Sequence, residues 1–267
     1  MAKTTKHYAE VRFGQIHYRR AEPSQPKNNP PLMMFHMSPN SGRIYETFLG
    51  KIGESRLCIA PDTPGFGDSS PPSHPPTINN YADAMGDLID ALKLRSVDVM
   101  GYHTGAEICV ALALARPEQI CKVILISAPI FTDAELHEFR AHYTRDQLTQ
   151  DGSHLAKKWR GHLHWAGPGW TMAYVAEQFN DALRNPSIAW WGHNAAFNFD
   201  MAEALKRVNQ QVLVFNPDDD LHTQTCRAAP LMKNGRIDHL QGWGHGFLDV
   251  HTTVACAKVC AFLDDGR

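Results

Sequence analysis

Apolar and polar positions along the chain fall into two rhythms. His7 to Phe13 and Gln15 to Arg20 alternate residue by residue on either side of Gly14, the period of a half-buried strand, and predict a hairpin. A polar, proline-rich loop follows. Short apolar runs then recur: PLMMFHM (Pro31 to Met37), RLCIAPD (Arg56 to Asp62), SVDVMGYH (Ser96 to His103) and KVILISAP (Lys122 to Pro129). Two more lie near the end, QVLVFNP (Gln211 to Pro217) and RIDHLQGW (Arg236 to Trp243). Helical spacing separates them at Tyr81 to Leu94, Gly105 to Arg116, Thr223 to Met232 and Leu248 to Asp264. Strands apolar on both faces, alternating with helices, predict an α/β fold with a mostly parallel sheet covered on both sides.

Phe131 to Asn209 breaks the alternation. The stretch is helix-like, has no convincing strand, and holds five of the six tryptophans. A structureless loop of that length is improbable in a compact domain, so it is read as a helical cap. The chain then divides into a core of residues 1–130 and 210–267 and a cap of residues 131–209.

Composition narrows the function classes. A formal net charge of −2 gives no reason to expect nucleic acid or an anionic membrane as partner. No run approaches the roughly 18 apolar residues of a membrane span. The opening, MAKTTKHYAEVRF, lacks the apolar stretch of a secretory signal. The six cysteines show no CxxC pair and sit in apolar patterns, which suggests buried free thiols and a cytoplasmic location. The partner implied is a small-molecule substrate. A homo-oligomeric assembly is left open.

The chemistry gathers where SVDVMGYH runs into TGAEICVALALARP. Gly101 and Gly105 flank that junction in G-Y-H-T-G, so the backbone can double back and hold the central side chain at the sheet edge beside a helix N-terminus. On this motif and four others in order, the chain resembles the α/β-hydrolase family, whose elbow reads G-x-S-x-G. HMSP (His36 to Pro39) is similar to the family's oxyanion-hole segment and PDTPGFGDS (Pro61 to Ser69) to its D-x-x-G-x-G-x-S turn. NPDDDL (Asn216 to Leu221) resembles the strand end carrying the acid, and GWGHG (Gly242 to Gly246) the loop carrying the base.

The resemblance implies His245 as the base. Asp219 falls at the acid position when Asn216 is aligned with the usual glycine; Asp218 is then left to a turn and Asp220 to a helix cap. It also implies oxyanion donors from the backbone of Ser38 and Thr104, with His36 and Met37 beside them. The departure is His103, which stands where the family has serine. An imidazole is a neutral nucleophile or a base near pH 7. Two neighbouring imidazoles resist charging together, so the pair should share about one proton, which favours proton transfer over attack.

His36, His103 and His245 would also make a three-imidazole zinc site if they converged. Two imidazoles and a carboxylate suffice for proton transfer, so neither metal nor other cofactor is assigned. The leading expectation is a hydrolase of small, largely apolar carbonyl compounds, cleaving an ester, a lactone or a carbon–carbon bond with a His103–His245–Asp219 triad. A lyase or isomerase using the two histidines for proton transfer is the alternative, and a ligand-binding protein without turnover is the third.

Overall fold

A computed structural model describes residues 1–25 and 28–266, so only Pro26 and Lys27 of the proline-rich loop, and Arg267, lie outside the described residues. The N-terminal hairpin is β1 (Thr5–Val11) and β2 (Gly14–Ala21), paired antiparallel. β3 (Leu32–Phe35) is followed by a 3-10 turn (Gly42–Tyr45), α1 (Glu46–Ile52) and β4 (Cys58–Pro61). Then come α2 (Ile78–Ala91), β5 (Val97–Tyr102), α3 (Thr104–Ala115) and β6 (Ile120–Ile126). Between β6 and β7 (Gln211–Pro217) run five helices: α4 (Asp133–His142), α5 (Ser153–His164), α6 (Met172–Ala182), α7 (Trp191–Ala196) and α8 (Met201–Leu205). α9 (His222–Cys226), β8 (Gly235–Leu240), α10 (Phe247–Val250) and α11 (Thr252–Asp264) complete the chain.

The eight strands lie in the order β1-β2-β4-β3-β5-β6-β7-β8, antiparallel across the first two pairings and parallel from β4 to β8. This is the α/β architecture the alternating pattern predicts. Strand periodicity explains the two cores. Met33 and Phe35 of β3 point into one apolar cluster with residues of α2 and α3; Leu32 and Met34 point into the other, with residues of α1 and α11.

Several boundaries differ from the sequence reading. α2 begins at Ile78 because Thr77 caps it: its side chain accepts from the Asn80 N–H while the Asn80 side chain accepts from the Thr77 N–H. The helix expected over Thr223 to Met232 ends at Cys226 and resumes only as a 3-10 turn at Ala229–Leu231, where Pro230 has no N–H to continue an α-helix. α10 and α11 divide one expected helix at His251, whose ring stacks on Trp243 at 4.4 Å. Cysteine burial is also uneven. Cys58, Cys109 and Cys256 are buried, Cys121 and Cys260 half-buried, but Cys226 on short α9 is exposed.

Asp62, first residue of the D-x-x-G-x-G-x-S turn, ties the antiparallel edge to the centre. It is fully buried and meets His17 Nδ1 at 2.7 Å and Arg19 Nη1 at 3.1 Å. It also accepts from the N–H groups of Gly42 and Asp68. Burial opposes ionising this carboxyl, but His17, Arg19 and the Asp68 N–H outweigh it and hold its pKa below the usual value. A Cβ at Gly67 would sit 2.1 Å from the Asp62 carboxylate, so only glycine lets the turn wrap that closely. Among the described residues no helix is long and apolar enough to cross a membrane.

Candidate active site

The turn from β5 into α3 places His103 at the carboxyl edge of the sheet. Its backbone has φ 48° and ψ −113°, a region that costs a non-glycine residue about 1–3 kcal/mol and persists only where its surroundings enforce it. They do so tightly. A Cβ at Gly101 would lie 2.0 Å from the Gly105 carbonyl oxygen, and one at Gly105 would lie 2.0 Å from that of Phe35. The His103 N–H is held by the Ile126 carbonyl at 3.0 Å. Those glycines are therefore the sequence signature of the elbow, and they aim the imidazole away from the core.

Two acid–imidazole pairs meet there. His103 Nε2 faces Asp219 Oδ2 at 3.3 Å and Asp220 Oδ1 at 3.7 Å. His245 Nε2 faces Asp220 Oδ1 at 2.8 Å. The expectation that Asp219 holds His245, with Asp220 as a helix cap, is corrected on both counts. The Asp219 carboxylate is drawn toward His103 by the hydroxyls of Ser127 and Tyr102, while α9 starts after Leu221 without a side-chain cap. Tyr102 connects the pairs: its hydroxyl lies 3.3 Å from both Asp219 Oδ2 and His245 Nδ1, with one proton for the two. Asp218 does take the turn role, accepting from the Gly242 N–H.

The electrostatics change the proton arithmetic expected for two imidazoles. Their rings are 5.5 Å apart, but each has a carboxylate beside it. Burial works against charging His103; the Asp220 and Asp219 carboxylates overcome it, so its pKa lies above the ordinary histidine value. Burial likewise opposes ionising the acids, but the two imidazoles hold both Asp219 and Asp220 below the usual carboxylate range.

Above His103 lies a cavity of about 190 Å³. Ser38, His103, Thr104, Pro129, Asp220 and Leu221 form its floor and one wall. Phe131, Phe139, Tyr143, Trp165, His193, Ala196 and Phe197, from the stretch between β6 and β7, form the rest. His245 does not line it. The backbone N–H groups of Ser38 and Thr104, both on the lining, make no hydrogen bond among the described residues. A larger cavity of about 540 Å³ shares Tyr143 and His193 but contains no elbow residue.

His36 and Met37 face elsewhere. His36 is buried, accepting at Nε2 from the Thr63 N–H at 2.9 Å and meeting the Met37 carbonyl through Nδ1 at 2.9 Å. Both nitrogens are committed, so the three-imidazole zinc set does not assemble. The Met37 side chain packs against the core cluster on the α1 side. The four groups that do converge, His103, Asp219, Asp220 and His245, have ligand atoms within 4.8 Å of one another and could hold a cation, in competition with the protons they share.

Sequence reasoning missed Asp220, Tyr102 and Ser127 as members of this cluster. Tyr102 stood in the variable place of the elbow motif, and no local signal marked Ser127. The histidines of the stretch between β6 and β7 differ in placement. His193 lines the cavity, stacked on Tyr143 at 4.5 Å, and burial pushes its pKa down to about 4. His162 packs edge-on against Phe179, and His164 against Trp165.

Parallel sheet, strained elbow and the cavity above His103 together describe an α/β fold with a candidate site at the carboxyl edge of the strands. The chain belongs to the alpha/beta hydrolase fold family, whose model matches residues 30–221, and is a hydrolase-like enzyme. A non-heme chloroperoxidase of Streptomyces lividans is 25% identical over 257 residues, spanning 89% of this chain and 93% of that protein. Among solved structures, the enol-lactonase of Burkholderia xenovorans LB400 superposes with a TM-score of 0.82 at 17% identity, covering 97% of this chain and all of that one. An esterase of Rhodococcus sp. ECU1013 superposes with a TM-score of 0.82 at 19% identity, covering 97% and 98%.

Proposed function

We propose that the chain hydrolyses a small, largely apolar ester or lactone, with His103 as the base that activates water. The observation that carries this is the elbow imidazole itself: it reaches the cavity with a carboxylate braced behind it. With Nε2–H given to Asp219, the lone pair left for chemistry is on Nδ1, which makes no hydrogen bond among the described residues. Nδ1 is flanked by Cβ and is crowded for an acyl group, whereas a proton fits. Water gives its proton to Nδ1 as its oxygen joins the carbonyl carbon. The resulting oxyanion meets the N–H groups of Ser38 and Thr104. Collapse breaks the bond to the leaving oxygen, which takes the proton back from the imidazolium. His245 acts from behind, holding the Asp220 carboxylate beside His103 and meeting the Tyr102 hydroxyl that also faces Asp219.

Substrate class follows from the walls. A cavity of about 190 Å³ is below the roughly 300–1,000 Å³ of drug-sized ligand sites. Its aromatic lining favours an apolar body, and its polar groups gather at the elbow end. Residues 131–209 serve as a lid on the core of residues 1–130 and 210–267, which fits their supplying the aromatic walls. A lyase or isomerase is the second reading, favoured by the absence of an elbow hydroxyl and by the basic imidazole.

Turnover in ¹⁸O-labelled water separates the two. Hydrolysis places one labelled oxygen in the acid product; unlabelled product would overturn hydrolysis in favour of proton transfer alone.

A further inference from the structure

A second group of ligating side chains lies outside the cavity, at the β8 edge of the sheet. His222 and Cys226 are four residues apart on α9 and so project from one helix face. His239 stands on β8 beside them. One ligand atom from each lies within 4.8 Å of the others; Cys226 and His239 are exposed and His222 half-buried.

Two features around the group point to a cation. His222 Nδ1 donates to the Pro217 carbonyl at 2.9 Å, which fixes the ring and leaves Nε2 with its lone pair; metal-bound histidines are oriented in this manner. Asn216, fully buried at the end of β7, turns its amide nitrogen toward the His222 carbonyl at 3.2 Å, Cys226 Sγ at 3.3 Å and His239 Nδ1 at 3.3 Å. A buried amide donating toward Cys226 Sγ and His239 Nδ1 from behind is the kind of outer hydrogen bond that orients metal ligands.

We infer that His222, Cys226 and His239 form a binding site for a soft divalent cation, zinc foremost, with water in the fourth position. Two imidazoles and a thiolate, with no carboxylate among them, select zinc over calcium or magnesium. The cation ties α9 to β8. Because His222 follows Asp219 and Asp220 after a single residue, it also anchors the end of the loop that carries both acids.

Titrating the purified protein with Zn²⁺ tests this. A single equivalent binds, and Co²⁺ in its place gives a near-ultraviolet sulfur-to-cobalt charge-transfer band. Cys226→Ser removes the band, and His239→Ala weakens zinc binding by at least about tenfold, the minimum expected when even a supporting group of a metal site is lost. His103→Ala changes neither. Failure of Zn²⁺ to bind would overturn the site. So would binding that survives Cys226→Ser and His239→Ala but is lost on His103→Ala, which would put the metal in the elbow cluster.

Discussion

At the scale of single residues, His103 and its two carboxylates decide the chemistry. A base works deprotonated, so a raised His103 pKa puts the acid limb of kcat/KM above the ordinary histidine value of about 6.5, with activity rising as pH increases through it. Asp220→Asn and Asp219→Asn each remove a charge that raises that pKa, and should move the limb to lower pH. Asp219→Asn should also lower the plateau, by up to about 10⁴-fold, because it removes the charge that braces the ring. A limb unmoved in both variants would contradict the assignment of His103 as the titrating base. The elbow was legible in the sequence because Gly101 and Gly105 are a local demand of the turn. The choice between Asp219 and Asp220 was not. Three consecutive acids differ only in direction, and Ser127 and Tyr102 set that direction from 92 and 117 positions away in the chain.

At the scale of elements, β3 to β7 read clearly because both faces of each are buried along nearly the whole strand, while short helices did not. α1 is seven residues long and gains its stability from packing Phe48, Leu49 and Ile52 against the sheet and α11, which local spacing could not reveal. α9 was overdrawn past Pro230, and with it the burial of Cys226. α3, the elbow helix, carries a further consequence. Its Glu107 is fully buried and neither carboxyl oxygen has a hydrogen-bond partner among the described residues. Burial alone drives its pKa well above the usual value, so the folded chain holds a proton there that the unfolded chain releases. That contribution to stability is present below the unfolded pKa near 4.3 and declines as pH rises toward the folded value. Glu107→Met should therefore stabilise the fold by roughly 1–3 kcal/mol, more at pH 7 than at pH 4, as read from denaturant midpoints. A destabilised variant at pH 7 would mean the carboxyl has a partner after all.

For the molecule as a whole, Asp62 joins β2, the 3-10 turn after β3 and the turn after β4. Its pKa is depressed in the fold, so its contribution is present above the unfolded value near 3.9 and is lost as pH falls through the folded one. Asp62→Asn should cost about 3–5 kcal/mol at pH 7, because it removes the buried charge that faces Arg19 and leaves that guanidinium only Glu46, at 4.0 Å, and the deficit should shrink in acid. A midpoint within error of the wild type would remove Asp62 from the brace. The same architecture delivers His103, and only His103 of the two imidazoles, to the cavity. Turnover of the natural-sequence protein against His103→Ala, on a small apolar ester or lactone, is then the decisive comparison. The elbow side chain faces the cavity and belongs to neither apolar core cluster, so the variant should keep its melting temperature while turnover falls about 10²- to 10⁴-fold. Undiminished turnover in a folded His103→Ala protein would contradict the assignment of the chemistry to the elbow imidazole.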